Sequence, residues 1–185
     1  MIDILKETEA IPAAYPDAPS GLSTAAAALD ADMIWARIEA YTAHRFTPRE
    51  VVWVMMAEAE DEWSPRLTPL VSHTAEQWNG VAWMTIDLIA GPLGFCLPYT
   101  GNFQITAQVG AGEVPAPVSE AFRRLAEYSA EIGADAMVAG HNAHHSHSVN
   151  IGSAVQESFD RSPTWAARAI QLSGAADLLR PYRRA

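Results

Sequence analysis

The chain has 185 residues, 49% of them apolar, which is enough to bury one sizeable core and fits a single domain better than two. Its 22 acidic residues stand against one lysine, Lys6, and eleven arginines, a formal net charge of -10 that argues against phosphate binding over a broad face. Cys96 is alone, so no intrachain disulfide is expected. No cationic segment leads into an apolar run at the N-terminus and no membrane-length apolar stretch occurs, so neither a signal peptide nor a membrane span is predicted and the context reads as intracellular.

Residues 1–22 carry Pro12, Pro16, Pro19 and Gly21 with little periodicity and read as an extended N-terminal arm. In the next segment, residues 23–46, Ser23 offers an N-cap. Leu29, Met33, Ile34, Ala36, Ile38, Tyr41 and Phe46 recur at helical spacing, which predicts a helix from about Thr24 to His44, and Pro48 forbids continuation. Residues 48–112 change to short β-branched and aromatic runs punctuated by turns, the pattern of a small antiparallel sheet. Asn79-Gly80 predicts a two-residue type I′ hairpin. Trp53, Trp63, Trp78 and Trp83 fall in this segment and read as core and cross-strand packing rather than as a ligand-stacking platform.

Residues 115–140 predict a strong helix after Val114-Pro115, with Ala121, Phe122, Leu125, Ala126, Tyr128, Ile132 and Met137 three and four apart. A polar loop region follows over residues 141–161. In residues 162–185, Ser162-Pro163 opens a last helical unit packed through Trp165, Ala166, Ala169, Ile170 and Leu172. Gly174 breaks it before Leu178-Leu179-Arg180-Pro181-Tyr182-Arg183-Arg184, a basic, aromatic, proline-stiffened tip on an acidic protein. The leucines and tyrosine supply an apolar anchor, the arginines fork-like donors to carboxylates, and the proline lowers the entropy lost on docking.

Each candidate for chemistry has a plainer alternative. His141, His144, His145 and His147 could share a zinc ion, but Gly140 and Asn142 are poor helix residues and no carboxylate sits among the imidazoles to act as base. A solvated or interface loop is the preferred reading, and a metal-dependent enzyme using the His141–His147 cluster is the alternative function. Gly110-Ala111-Gly112 lacks the third glycine and the parallel βαβ setting of a dinucleotide loop, so it reads as a strand-to-helix exit. Cys96, between Phe95 and Leu97, reads as a small buried hydrophobe, and Glu58, Glu60, Asp61 and Glu62 as a solvated charge run.

Three segments, taken in order, resemble the head-tail adaptor (connector or head-completion) proteins of long-tailed phages and phage-like gene transfer agents. The helix Met33–Ala40 closing on Tyr41-Thr42-Ala43-His44-Arg45-Phe46 is similar to the family's first core helix with its Tyr-Thr-Gly-Arg-like turn, although Ala43 replaces the glycine and His44 is added. Phe103–Gly112, Val114-Pro115 and Ala121–Ala126 resemble its strand, glycine turn, Val-Pro and apolar helix. Residues 169–183 are similar to its Ser-Gly, Leu-Leu, Pro-Tyr-Arg ending. The resemblance covers about residues 29 to 184 and leaves the N-terminal arm outside the usual pattern, where another helix is common.

It implies a structural, non-catalytic protein with no cofactor, forming a homo-oligomeric and dodecameric ring between the portal protein and the next tail-side component, a stopper or tail terminator. DNA would pass through the channel without sequence-specific binding, and the protein would sit at the head-tail junction of a particle assembled in the bacterial cytoplasm. Leu178, Leu179, Arg180, Pro181, Tyr182, Arg183 and Arg184 are the implied portal interface. The expected fold is α+β and mainly helical: a small helical bundle with an inserted antiparallel β-sheet and extended N- and C-terminal arms.

Overall fold

A computed structural model describes residues 1–138, 146–151, 155–160 and 168–183, with backbone alone described over 132–138, 146–151 and 155–160. Its elements in chain order are β1 (Asp3–Glu9), α1 (Thr24–Ala27), α2 (Ala31–Tyr41), β2 (Arg49–Ala57), β3 (Glu62–Trp63), β4 (Leu70–Trp78), β5 (Trp83–Ile86), β6 (Ile89–Ala90), β7 (Phe95–Cys96), β8 (Gly101–Val109), α3 (Ala116–Val138), β9 (Ser146–Ile151), β10 (Val155–Asp160), α4 (Ala169–Leu172) and α5 (Ala175–Leu179), followed by a 3-10 turn at Arg180–Tyr182. They fall into two compact units. The first comprises Met1–Pro16, Glu39–Glu113 and the C-terminal residues from Tyr182; the second comprises Asp17–Ile38 and the described residues between Val114 and Pro181.

The first unit is built on a five-stranded antiparallel sheet in the order β1-β2-β8-β4-β5. Strands β2, β4 and β8 each run nine residues. Val51, Trp53 and Met55 on β2 meet Phe103, Ile105, Ala107 and Val109 on β8 across one buried face, because alternate residues of a strand point the same way. Leu67, Trp63 and Leu97 complete that core, the last two from the short β3-β7-β6 sheet and its exit.

Among its described residues the second unit is helical apart from the antiparallel β9-β10 pair. On α3, Val118, Ala121, Phe122, Leu125, Ala126 and Ala130 are buried, a three-and-four spacing that lays one stripe against α1, α4 and α5. Trp35 of α2 packs its ring 4.9 Å from Phe122. The stretch before α1 is pinned to α3: Glu127 accepts the Ser23 backbone N–H and hydroxyl, and the Arg123 Nε donates to the Ser20 carbonyl.

The molecule is not mainly helical. Helices account for 29% of the chain and strands for 31%, and the sheet is the organising layer of its unit rather than an insertion in a bundle. The N-terminal arm is not a free extension either, since Asp3–Glu9 pairs with β2 as an edge strand and Ile2 and Ile4 rest against the core. Its sequence, DILKETE, has little β propensity; pairing with a neighbouring strand overrides that preference. The C-terminal arm is likewise helical and packed, not extended.

The long helix predicted from Thr24 to His44 is two helices. The Asp30 side chain accepts the Asp32 N–H and starts α2 afresh, a local bond that competes with helix continuation. The β4-β5 hairpin has a four-residue loop in place of the two-residue one. The Asn79 side-chain oxygen accepts the N–H groups of both Val81 and Ala82, and Trp78 faces Trp83 at its base with ring centroids 5.4 Å apart. That pair is partly exposed, while Trp53 and Trp63 lie in the core. Part of the expected polar region is strand, β9 and β10; the helix predicted to open at Ser162-Pro163, with Trp165 and Ala166, lies outside the described residues until α4. Among the described residues no helix is long and apolar enough to cross a membrane.

Candidate functional site

The most densely interlocked part of the first unit lies where the chain leaves α2 and enters β2. Glu39, in the last turn of α2, is buried and holds two partners: one carboxylate oxygen accepts the Phe46 N–H at 2.8 Å and the other pairs with the Arg49 guanidinium. Arg49 also donates to Glu9 at 3.0 Å and to the Thr47 carbonyl, and lies over the Tyr15 ring. Arg45 forks onto both oxygens of Glu9 and turns its remaining amine to the carbonyls of Glu39 and Thr42, the unpaired C-terminal groups of α2. Every buried charge in this four-residue network therefore meets an opposite one. Burial alone would raise the Glu9 carboxyl, but hydrogen bonding and charge from Arg45 and then Arg49 outweigh it and hold it below the usual glutamate range.

Around the network lies one part of each of the three segments that carry the family resemblance. The Ala43 N–H donates to the Tyr182 carbonyl at 3.2 Å, and the Tyr182 ring stands edge-on to His44 and Phe46, with centroids 5.7 and 5.9 Å away. Arg183 lies 4.6 Å above the Tyr41 ring and donates to the Tyr41 hydroxyl. The second segment, Phe103–Ala126, contributes Gly110, just past β8. Its φ of 89° is open to glycine, and a Cβ there would collide with the Thr47 carbonyl, so only glycine lets the strand exit press against the end of the 41–46 turn. Burial first, and then the neighbouring Arg45 charge, lowers the His44 pKa, which favours a neutral imidazole at this junction.

Comparison with known protein families, characterised proteins and solved structures finds no match to this chain.

The tip residues are divided in their placement. Leu179 is fully buried beneath α3, and Leu178 and Tyr182 are half-buried. Arg180, Pro181 and Arg183 are exposed, and Arg184 lies outside the described residues. Among the described residues neither Arg180 nor Arg183 has a carboxylate at ion-pair distance; Arg183 uses the Tyr41 ring instead.

His141, His144 and His145 lie outside the described residues, and His147 is placed only as backbone on β9. Among the described residues no three His, Cys, Asp or Glu side chains are grouped to hold a metal ion. Cys96 is half-buried on β7. Of the acidic run, Asp61 accepts the N-terminal amine at 2.8 Å, with Glu58 3.8 Å from the same amine, Glu62 accepts the Leu93 N–H, and Glu58 and Glu60 are exposed.

Sequence reasoning missed Glu9, Glu39, Arg45 and Arg49 as a network. The usable signal was weak: Glu39 lies four residues after Trp35, on the buried side of α2, and Arg45 and Arg49 are also four apart. Only the folded chain brings Glu9 to them.

Proposed function

We propose that this protein is a structural head-tail adaptor: a ring-forming component between the portal and the tail-side stopper or terminator of a phage-like particle, prolonging the DNA channel. The observation that carries the reading is the convergence of residues 41–47, Gly110 and Tyr182-Arg183 on one spot of the first unit. These are parts of three segments, widely separated in sequence, whose order suggested the family. A shared packing site gives their co-occurrence a physical reason, since Gly110 and Tyr182-Arg183 both bear on residues 41–47.

The acidic composition supports the channel part of the reading, because carboxylates facing DNA repel it and let it slide. Portal docking falls to Arg180 and Pro181, the exposed residues of the tip that follow the buried Leu179. Deleting the tip would remove a core leucine and confound binding with folding, so the test is a surface change. Arg180→Glu should leave the circular dichroism and melting curve unchanged and abolish co-purification with the portal protein of the same particle. Undiminished portal capture by Arg180→Glu together with Arg184→Glu would sink the docking assignment.

A further inference from the structure

Beside the start of β2 the first unit carries an open groove of about 710 Å³ whose walls include Tyr41, Arg45, Ser64, Arg66, Arg183 and Glu7. Three of the chain's eleven arginines on one groove of a protein with net charge -10 is a strong local reversal of sign. Arg45 is already satisfied by Glu9, but Arg66 is exposed and has no acid at ion-pair distance among the described residues, and Arg183 is held only against Tyr41. The groove thus presents two guanidinium forks without carboxylates, one of them pre-oriented on an aromatic face.

The other end of β2 has the opposite character. Nine residues of strand, roughly 26 Å at the usual rise of about 3.3 Å per residue, lead to the turn after Ala57. There Glu58 and Glu60 are exposed, and Glu60, at φ 70°, stands at the apex of a turn closed by a hydrogen bond from the Asp61 N–H to the Glu58 carbonyl. The N-terminal amine pairs closely with Asp61 and loosely, at 3.8 Å, with Glu58, while Glu60 has no counter-ion among the described residues.

We infer that the Arg66–Arg183 groove of one copy of this chain receives the Glu58–Glu60 turn of a second copy. Two carboxylates two positions apart meet two guanidinium forks, and planar fork-to-carboxylate pairing is what arginine provides and lysine does not. Because donor and acceptor are two different patches of the first unit, the contact is heterologous, one copy's groove to the next copy's turn, and such contacts build closed rings or open filaments instead of two-fold dimers. Nucleic acid is the poorer occupant, since Glu7 lines the same groove and the protein as a whole repels phosphate. This inference deepens the adaptor reading by naming its subunit contact, yet it stands or falls on the purified chain alone.

Sedimentation velocity on the full-length protein tests it. The wild type should show concentration-dependent species larger than a monomer that dissociate as salt rises. Arg66→Glu and Glu60→Arg, both at exposed positions, should each weaken association by roughly ten-fold or more without changing the melting curve. An equimolar mixture of the two variants should recover the larger species, because the reversed charges pair with each other. A wild type that stays monomeric at every concentration, variants that associate like the wild type, or a mixture that fails to recover would each overturn the inference. Loss of portal capture by Arg180→Glu would be unaffected by any of these results, so the two proposals fail separately.

Discussion

At the scale of single residues, the Glu9–Glu39–Arg45–Arg49 network sets the strongest expectations. A buried pair is costly to break because the surviving charge is left without a partner. Glu39→Ala removes the acceptor of both the Arg49 guanidinium and the Phe46 N–H, and should destabilise the protein by about 3 kcal/mol in urea unfolding. Glu120→Ala, which loses only exposed pairs with Arg123 and Arg124 on α3, should leave the unfolding midpoint where it was. The same neighbourhood makes stability depend on pH. His44 and Glu9 both have folded-state pKa values below their ordinary 6.5 and 4.5, so the unfolded chain binds protons more readily than the folded one. The contribution of His44 is complete above 6.5 and is lost as pH falls through its lower folded-state value; that of Glu9 follows the same course below 4.5. The melting temperature should therefore decline in two stages on acidification. His44→Phe, which keeps a ring against Phe46 and Tyr182, should remove the first stage, and a melting profile unchanged by that substitution would contradict the assignment.

At the scale of elements, the C-terminal helices decide how the tip can be used. Leu179 on α5 is fully buried and Leu172 on α4 is 55% exposed, although both are leucines in short apolar helical turns. Leu179→Ala should cost about 2–5 kcal/mol and Leu172→Ala close to nothing in chemical denaturation. Equal effects would place the tip outside the core. The exit from β8 offers a second test. Gly110→Ala meets both a positive φ and the Thr47 carbonyl, so its loss of stability should exceed the ~1 kcal/mol expected for strain at the backbone alone. Gly112→Ala, with a similar φ but open space around it, isolates that backbone share. The difference between the two melting temperatures measures how tightly the strand exit presses on the 41–46 turn.

At the scale of the whole molecule, charge is distributed unevenly along a chain that is acidic in total. The described arginines of the first unit are drawn inward to Glu9 and Glu39 or line one groove, while Glu58 and Glu60 are exposed on a turn. A uniformly acidic surface would keep copies apart; the inferred contact between copies uses one site of each sign. Truncation from Leu178 onward should therefore do more than shorten a tail. It removes Leu179 from beneath α3 and Tyr182 from the 41–46 turn, and the shortened chain should show loss of amide exchange protection in α3 and at Ala43. Full retention of protection would mean that neither contact holds.

The helical stripe of α3 was legible because the 3.6-residue period is a local property: Ala121, Phe122, Leu125 and Ala126 announce their common face wherever the helix sits. The alternation in β2 and β8 and the glycine exit after Val109 could be read for the same reason. The sequence by itself also determined the overall acidity and the contrasting basic tip. Tertiary structure alone decided that DILKETE is a strand, since pairing with β2 supplies what its charged residues do not. It alone decided that Glu9, Glu39, Arg45 and Arg49 share one buried network, because burial of a charge depends on partners brought from distant positions, and no period in the chain records that meeting. The tip shows both halves together: composition marked residues 178–184 as an anchor, and packing assigned Leu179 to the protein's own core and half-buried Tyr182 to the 41–46 turn while leaving Arg180 and Pro181 outside.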